Sequence, residues 1–98
     1  MVDNKQCDLL IKNVKIVRPN HNSVKDADIA VKQGKIMSIE TDLNTDLATT
    51  VYDGQGWLAF PGVVDAHMHT GIYAPLQEDA VSESRAAAMG GVTSSLNY

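Results

Sequence analysis

The sequence predicts a small β-sandwich-like domain over residues 1–60, followed by the first βαβ unit of a TIM (β/α)8 barrel over residues 61–98. Three observations carry this reading. Residues 1–60 hold short β-prone runs separated by turn residues, with no convincing amphipathic helix. At Pro61-Gly62 the pattern changes to an apolar run, a loop, an Ala-rich helix and a second β-prone run. The chain has 98 residues, whereas a complete barrel takes about 250. A lone βαβ unit cannot bury its own sheet. The expectation is therefore the N-terminal part of a longer protein, α/β overall.

Taken in order, residues 8–17 read as two short strands, Leu9-Leu10-Ile11 and Val14-Lys15-Ile16-Val17. Lys12-Asn13 between them reads as a tight turn, since Asn tolerates positive φ. Residues 18–23 form a Pro/Asn/Ser loop, and His21 within it reads as a solvated side chain. Residues 27–33 alternate, with Ile29 and Val31 on one face and Asp28, Ala30 and Lys32 on the other. Gln33-Gly34-Lys35 sits at hairpin spacing before the strand Ile36-Met37-Ser38-Ile39. Residues 41–50 are polar and read as a loop, in which Leu43 and Leu47 could form one helical turn. Val51-Tyr52-Asp53 and residues 57–60 read as strands around the turn Gly54-Gln55-Gly56. Tyr52, Trp57 and Phe60 suit core packing in a half-buried sheet. That makes six short strands, with a thin core for so small a unit.

Residues 63–67 read as a strand buried on both faces of a parallel sheet. Residues 70–77 form a loop and residues 78–89 a helix. Glu78 and Asp79 suit its positive N-terminal end. Val81, Ser84 and Ala88 with Ala80 and Ala87 form a small-residue face for close packing. Gly90-Gly91 ends the helix, and Val92 begins the next strand.

Composition is ordinary for a globular chain, at 44% hydrophobic and 20% charged residues. Net charge is −4. No Lys/Arg cluster is present, so neither nucleic acid nor an anionic membrane is an expected partner. No apolar run approaches the roughly 20 residues of a membrane span, and the polar start Met-Val-Asp-Asn-Lys-Gln lacks a signal-peptide pattern. Cys7 is the single cysteine. It excludes an intrachain disulfide and reads as a small core residue at a strand start. A cytoplasmic protein is expected.

The chemistry gathers at Pro61-Gly62-Val63-Val64-Asp65-Ala66-His67-Met68-His69-Thr70. Alternate residues of a strand share a face, so His67 and His69 point the same way. Two imidazoles one residue apart can share one divalent metal, and imidazole is the commonest zinc ligand. Asp65 lies on the same face. It reads either as an acceptor that orients an imidazole or a neighbouring backbone group, or as a polar strand-end residue. Thr70 and Tyr73 lie on the following loop, where barrels of this kind build their sites, and are candidate substrate-loop residues. Tyr73 also reads as a packing residue. Glu78 and Asp79 are adjacent on a helix and do not face each other, so their place at its start explains them.

Pro-Gly-x-x-Asp-x-His-x-His at residues 61–69 resembles the start of the amidohydrolase superfamily, in its cyclic-amide branch of dihydropyrimidinases (hydantoinases), allantoinases and dihydroorotases. The resemblance runs along nearly the whole chain. Asp8-Leu9-Leu10-Ile11-Lys12-Asn13 with Ile16-Val17 is similar to the family's opening hairpin. Asp28-Ile29-Ala30-Val31 with Gly34-Lys35-Ile36 is similar to its next strand pair. Arg85-Ala86-Ala87-Ala88-Met89-Gly90-Gly91-Val92-Thr93 is similar to its first barrel helix and second strand.

The resemblance implies that His67 and His69 bind one metal of a one- or two-ion site, with zinc expected. It implies that the other ligands, a carboxylated Lys, two His and an Asp that is also the general base, lie beyond Tyr98. No catalytic residue is therefore expected within these 98 residues, which alone should be inactive. The implied reaction is hydrolysis of a cyclic amide or imide C–N bond by a metal-bound hydroxide, with a small-molecule substrate and a homo-oligomeric (dimeric or tetrameric) full-length protein. Thr70-Gly71-Ile72-Tyr73 lacks the Arg that dihydroorotases carry soon after the second His, which counts against that substrate. Two alternatives stand beside this reading. One is a different amidohydrolase reaction, deamination or deacetylation. The other is a non-catalytic scaffold of dihydropyrimidinase-like type, against which the intact His pair argues.

Overall fold

The computed structural model describes residues 5–97. The chain divides into two compact units, Met1–Phe60 and Pro61–Tyr98. No helix among the described residues is long and apolar enough to cross a membrane.

The first unit is one mixed sheet of five strands: β1 (Cys7–Ile16), β2 (Lys25–Lys32), β3 (Lys35–Glu40), β4 (Ala48–Asp53) and β5 (Leu58–Ala59). The order is β3-β2-β1-β4, and β5 also pairs with β1. β1 runs antiparallel to β2 and parallel to β4 and β5. The expected sandwich is therefore corrected to a single sheet among the described residues. The expected pair of strands at 8–17 is one strand, and the turn at Lys12-Asn13 is a bulge inside it.

Asn13 does take positive φ, at 61°. The chain bulges there rather than reversing. Ile11 pairs with Ile29 and Val14 with Ala27, so three steps on β1 match two on β2. The bulge also breaks the other edge of β1. Lys12 O accepts from Gly54 N–H at 2.6 Å and Asn13 O from Gly56 N–H at 2.7 Å. Beyond it, Lys15 N–H donates to Trp57 O at 2.9 Å. β4 and β5 are thus one edge interrupted where β1 bulges. Glycine is required at 54, because an added Cβ there collides with Val14 and with the Lys12 backbone.

The hairpin at Gln33-Gly34 forms as read, with φ of 52° and 76° and Lys32 opposite Lys35, the left-handed pair that a two-residue hairpin needs. Leu47 does join a single helical turn, Thr45–Leu47, capped by the Asn44 side chain. β4 begins directly after it, at Ala48.

The core is small, as expected. Cys7, Leu10, Ala30 and Ala48 form one cluster with Leu43, and Val14, Ile16 and Ala27 form another with Ile11, Ile29 and Ala59. Cys7 is buried at the start of β1, its thiol 3.6 Å from Leu47 O. Ala27, Asp28 and Ala30 are the buried residues of β2, whereas Ile29 and Val31 are half-buried. Tyr52, Trp57 and Phe60 are exposed rather than packed in the core, because a single sheet has no second layer to cover them.

The second unit is a βαβ unit as expected: β6 (Val63–Met68), α1 (Leu76–Met89) and β7 (Val92–Asn97), with β6 and β7 parallel. The helix starts two residues earlier than the charge pattern suggested, behind Pro75, whose carbonyl accepts from Glu78 and Asp79 N–H. Pro cannot donate and is tolerated at a helix start. Of the small-residue face, Ala80, Ser84, Ala87 and Ala88 line a cavity of about 410 Å³ with Val92 and Ser94, whereas Val81 is exposed. The expectation that β6 is buried on both faces fails here, since Val63 and Val64 are exposed.

Candidate metal centre

β6 delivers His67 as its penultimate residue, and His69 follows one residue past its end. The alternation of the strand brings the rings together on one side. Their Nε2 atoms are 3.1 Å apart, with ring centroids at 4.8 Å and planes at 81°. At that distance two imidazoles either share one proton in an N–H···N hydrogen bond or turn both lone pairs to one cation. Two nitrogens bound tetrahedrally at about 2.0–2.1 Å to one zinc stand roughly 3.3 Å apart. The donor pair therefore fits a shared metal. Both rings are exposed. No group of three His, Cys, Asp or Glu side chains gathers around a point among the described residues.

Asp65 is half-buried, and its Oδ1 accepts from the backbone N–H of His67 at 3.1 Å. This fixes the backbone that carries the first imidazole. Thr70 is half-buried and lines the cavity between β6, α1 and β7 with Met68. Tyr73 stands at 93% exposure on the loop tip. His21 lies in its own loop, donating from Nδ1 to Pro19 O at 2.9 Å.

Residue reading missed two arrangements. The first is Asp79, which does more than sit at a helix start. Its Oδ2 accepts from Gly71 N–H at 2.8 Å, tying the first turns of α1 to the residue two after His69. The available signal was a glycine just past the second His with a carboxylate eight residues on. The second is Lys12 with Asp28. Lys12 Nζ donates to Asp28 Oδ2 and to Leu43 O, each at 2.7 Å. Asp28 also accepts from Asn13 N–H at 2.8 Å and Leu43 N–H at 2.8 Å. Nothing in the strand alternation signals that pairing.

No family model matches the chain. The chain is 44% identical over 89 residues to the allantoinase of Escherichia coli O1:K1, covering 88% of this chain and 18% of that protein. The allantoinase of E. coli O139:H28 matches at the same identity, 44% over 89 residues. The solved L-hydantoinase (dihydropyrimidinase) of Arthrobacter aurescens superposes with a TM-score of 0.78 at 33% identity, over 93% of this chain and 20% of that one. The chain matches an N-terminal portion of the cyclic-amidohydrolase branch. It spans about a fifth of the length of these relatives. The stretch matched at this coverage includes the His67/His69 pair.

Proposed function

We propose that this chain is the N-terminal part of a metal-dependent hydrolase of cyclic amides or imides, of allantoinase or hydantoinase type, in which His67 and His69 hold a divalent metal. The observation that carries the reading is the Nε2 pair at 3.1 Å at the end of β6, in a chain 44% identical to an allantoinase. In this reading residues 1–60 belong to a small β-rich domain, completed elsewhere in the protein, and residues 61–98 open the hydrolase barrel.

A bound zinc would supply Lewis-acid pull on the amide carbonyl and a water acidic enough to ionise near neutral pH. The chain's own part is to hold two neutral imidazoles with both Nε2 lone pairs on one point. Ligation through Nε2 places the proton on each Nδ1, which donates to an outer partner in sites of this kind. Asp65 steadies the His67 backbone, and the loop that follows His69 sits where substrate would approach.

The test uses the full-length protein. It should purify with divalent metal and open the ring of allantoin or a hydantoin. His67→Ala and His69→Ala should each lower metal occupancy and cut kcat/KM by more than about 100-fold, since outer partners of ligands alone cost 10–100-fold. Wild-type protein with no metal, and indifferent to His67→Ala, would establish the scaffold alternative instead. Turnover of amino or acetyl substrates without ring opening would move the reaction to deamination or deacetylation.

A further inference from the structure

We propose that Asp79 is a positioning residue for the metal centre, holding the loop that leaves His69; this rests on the metal reading of the His pair. His69 lies outside β6, so no strand pairing fixes the chain beyond it. Two residues later Gly71 takes φ +78°, a left-handed conformation that favours glycine. Leu76 packs beneath it, 3.1 Å from where a Cβ would stand. The Gly71 N–H is met by Asp79 Oδ2 at 2.8 Å. Asp79 sits on α1, is half-buried, and its own backbone N–H is held by Pro75 O at 2.9 Å. The helix is thus the rigid support and the carboxylate the tie. A loop running from His69 to the helix start is pinned one third of the way along.

The geometry separates this role from the ordinary one. A carboxylate in the first turns of a helix also stabilises by its charge beside the helix dipole. Asp79→Asn removes the charge and keeps a carbonyl oxygen able to accept from Gly71 N–H, whereas Asp79→Ala removes both. A tie predicts that Asn behaves like wild type. A charge effect predicts that Asn behaves like Ala.

The experiment compares wild type, Asp79→Ala and Asp79→Asn in the full-length protein. It reads zinc affinity by chelator competition, kcat and KM separately, and amide hydrogen exchange of residues 70–76. In Asp79→Ala, exchange across the loop should quicken, zinc should bind about 10-fold more weakly, and KM should rise more than kcat falls. Asp79→Asn should restore all three. Equal behaviour of Ala and Asn, or unchanged zinc affinity and loop exchange in Ala, would overturn the proposal. Wild-type protein that binds no zinc would sink the metal reading itself and, with it, any role of Asp79 at a metal. The exchange pattern would then report only whether the tie exists.

Discussion

Asp28 is a carboxylate at 4% exposure, a position tolerable only when its charge is answered. Burial by itself pushes its pKa up. The Lys12 ammonium and the backbone N–H groups of Asn13 and Leu43 outweigh that and hold it below the usual carboxylate value. The same hydrogen bond raises Lys12, against burial and with help from Asp42. The signs set a window. Stability from Asp28 is complete above the unfolded value near ~3.9 and is lost as pH falls through the lower folded value. Stability from Lys12 is complete below ~10.4 and is lost as pH rises through the higher folded value. The pair's contribution should therefore be flat across neutral pH and fall away at both extremes. Asp28→Asn should cost about 2–3 kcal/mol, at or below the low end for a broken buried pair, because the Lys12 side chain keeps 22% exposure. Urea unfolding at neutral pH checks this, and a loss under about 0.5 kcal/mol, the range of an ordinary surface change, would contradict it.

At the scale of elements, one bulge organises the β-unit. It sets the Lys12–Asp28 pairing on one side of β1 and the β4/β5 interruption on the other. Its centre, Asn13, needs positive φ, which costs most L-residues about 1–2 kcal/mol. Asn13→Val should destabilise by about that amount, and Asn13→Gly by less than half of it, in the same denaturation measurement. Equal effects would mean that the backbone conformation at 13 is not the constraint. The sequence did signal this residue, since Asn read as a positive-φ site. It did not signal whether the chain reverses or bulges. Both begin with the same dihedral, and only the register against β2 distinguishes them. The hairpin at Gln33-Gly34 was legible because its two residues reverse the chain locally. The helix was legible to within two residues, because its boundary depends on Pro75 and its end on a Gly-Gly pair.

At the scale of the molecule, several large apolar side chains of the described residues are exposed. Trp57 and Phe60 in the first unit, and Val64 in the second, are each about two-thirds exposed. The isolated 98-residue chain should bind the dye ANS, an indicator of exposed apolar surface. It should neither hold stoichiometric zinc tightly nor turn over any cyclic amide, because two imidazoles fill only two of zinc's four positions and supply no base. Tight zinc with turnover in that isolated chain would refute this. The sequence suggested a sandwich from short strands separated by turn residues, and core aromatics from their fit to a half-buried sheet. Alternation tells which residues want cover, not which layer provides it.

The sequence by itself determined the order of most elements, the change of pattern at Pro61 and the two histidines on one strand face. Each follows from local rules: side-chain period, turn chemistry and chain stiffness. Only the tertiary structure decided that β1 bulges rather than turns and that Asp28 and Ala30 take the buried side of β2. It also decided that the imidazole nitrogens stand 3.1 Å apart and that Asp79 reaches back to Gly71. The contacts of Asp28 and Asp79 depend on groups 8 to 16 residues apart in the chain meeting in space. Where backbone donors and carboxylates find one another is set by register, and register is a property of strands and helices packed together.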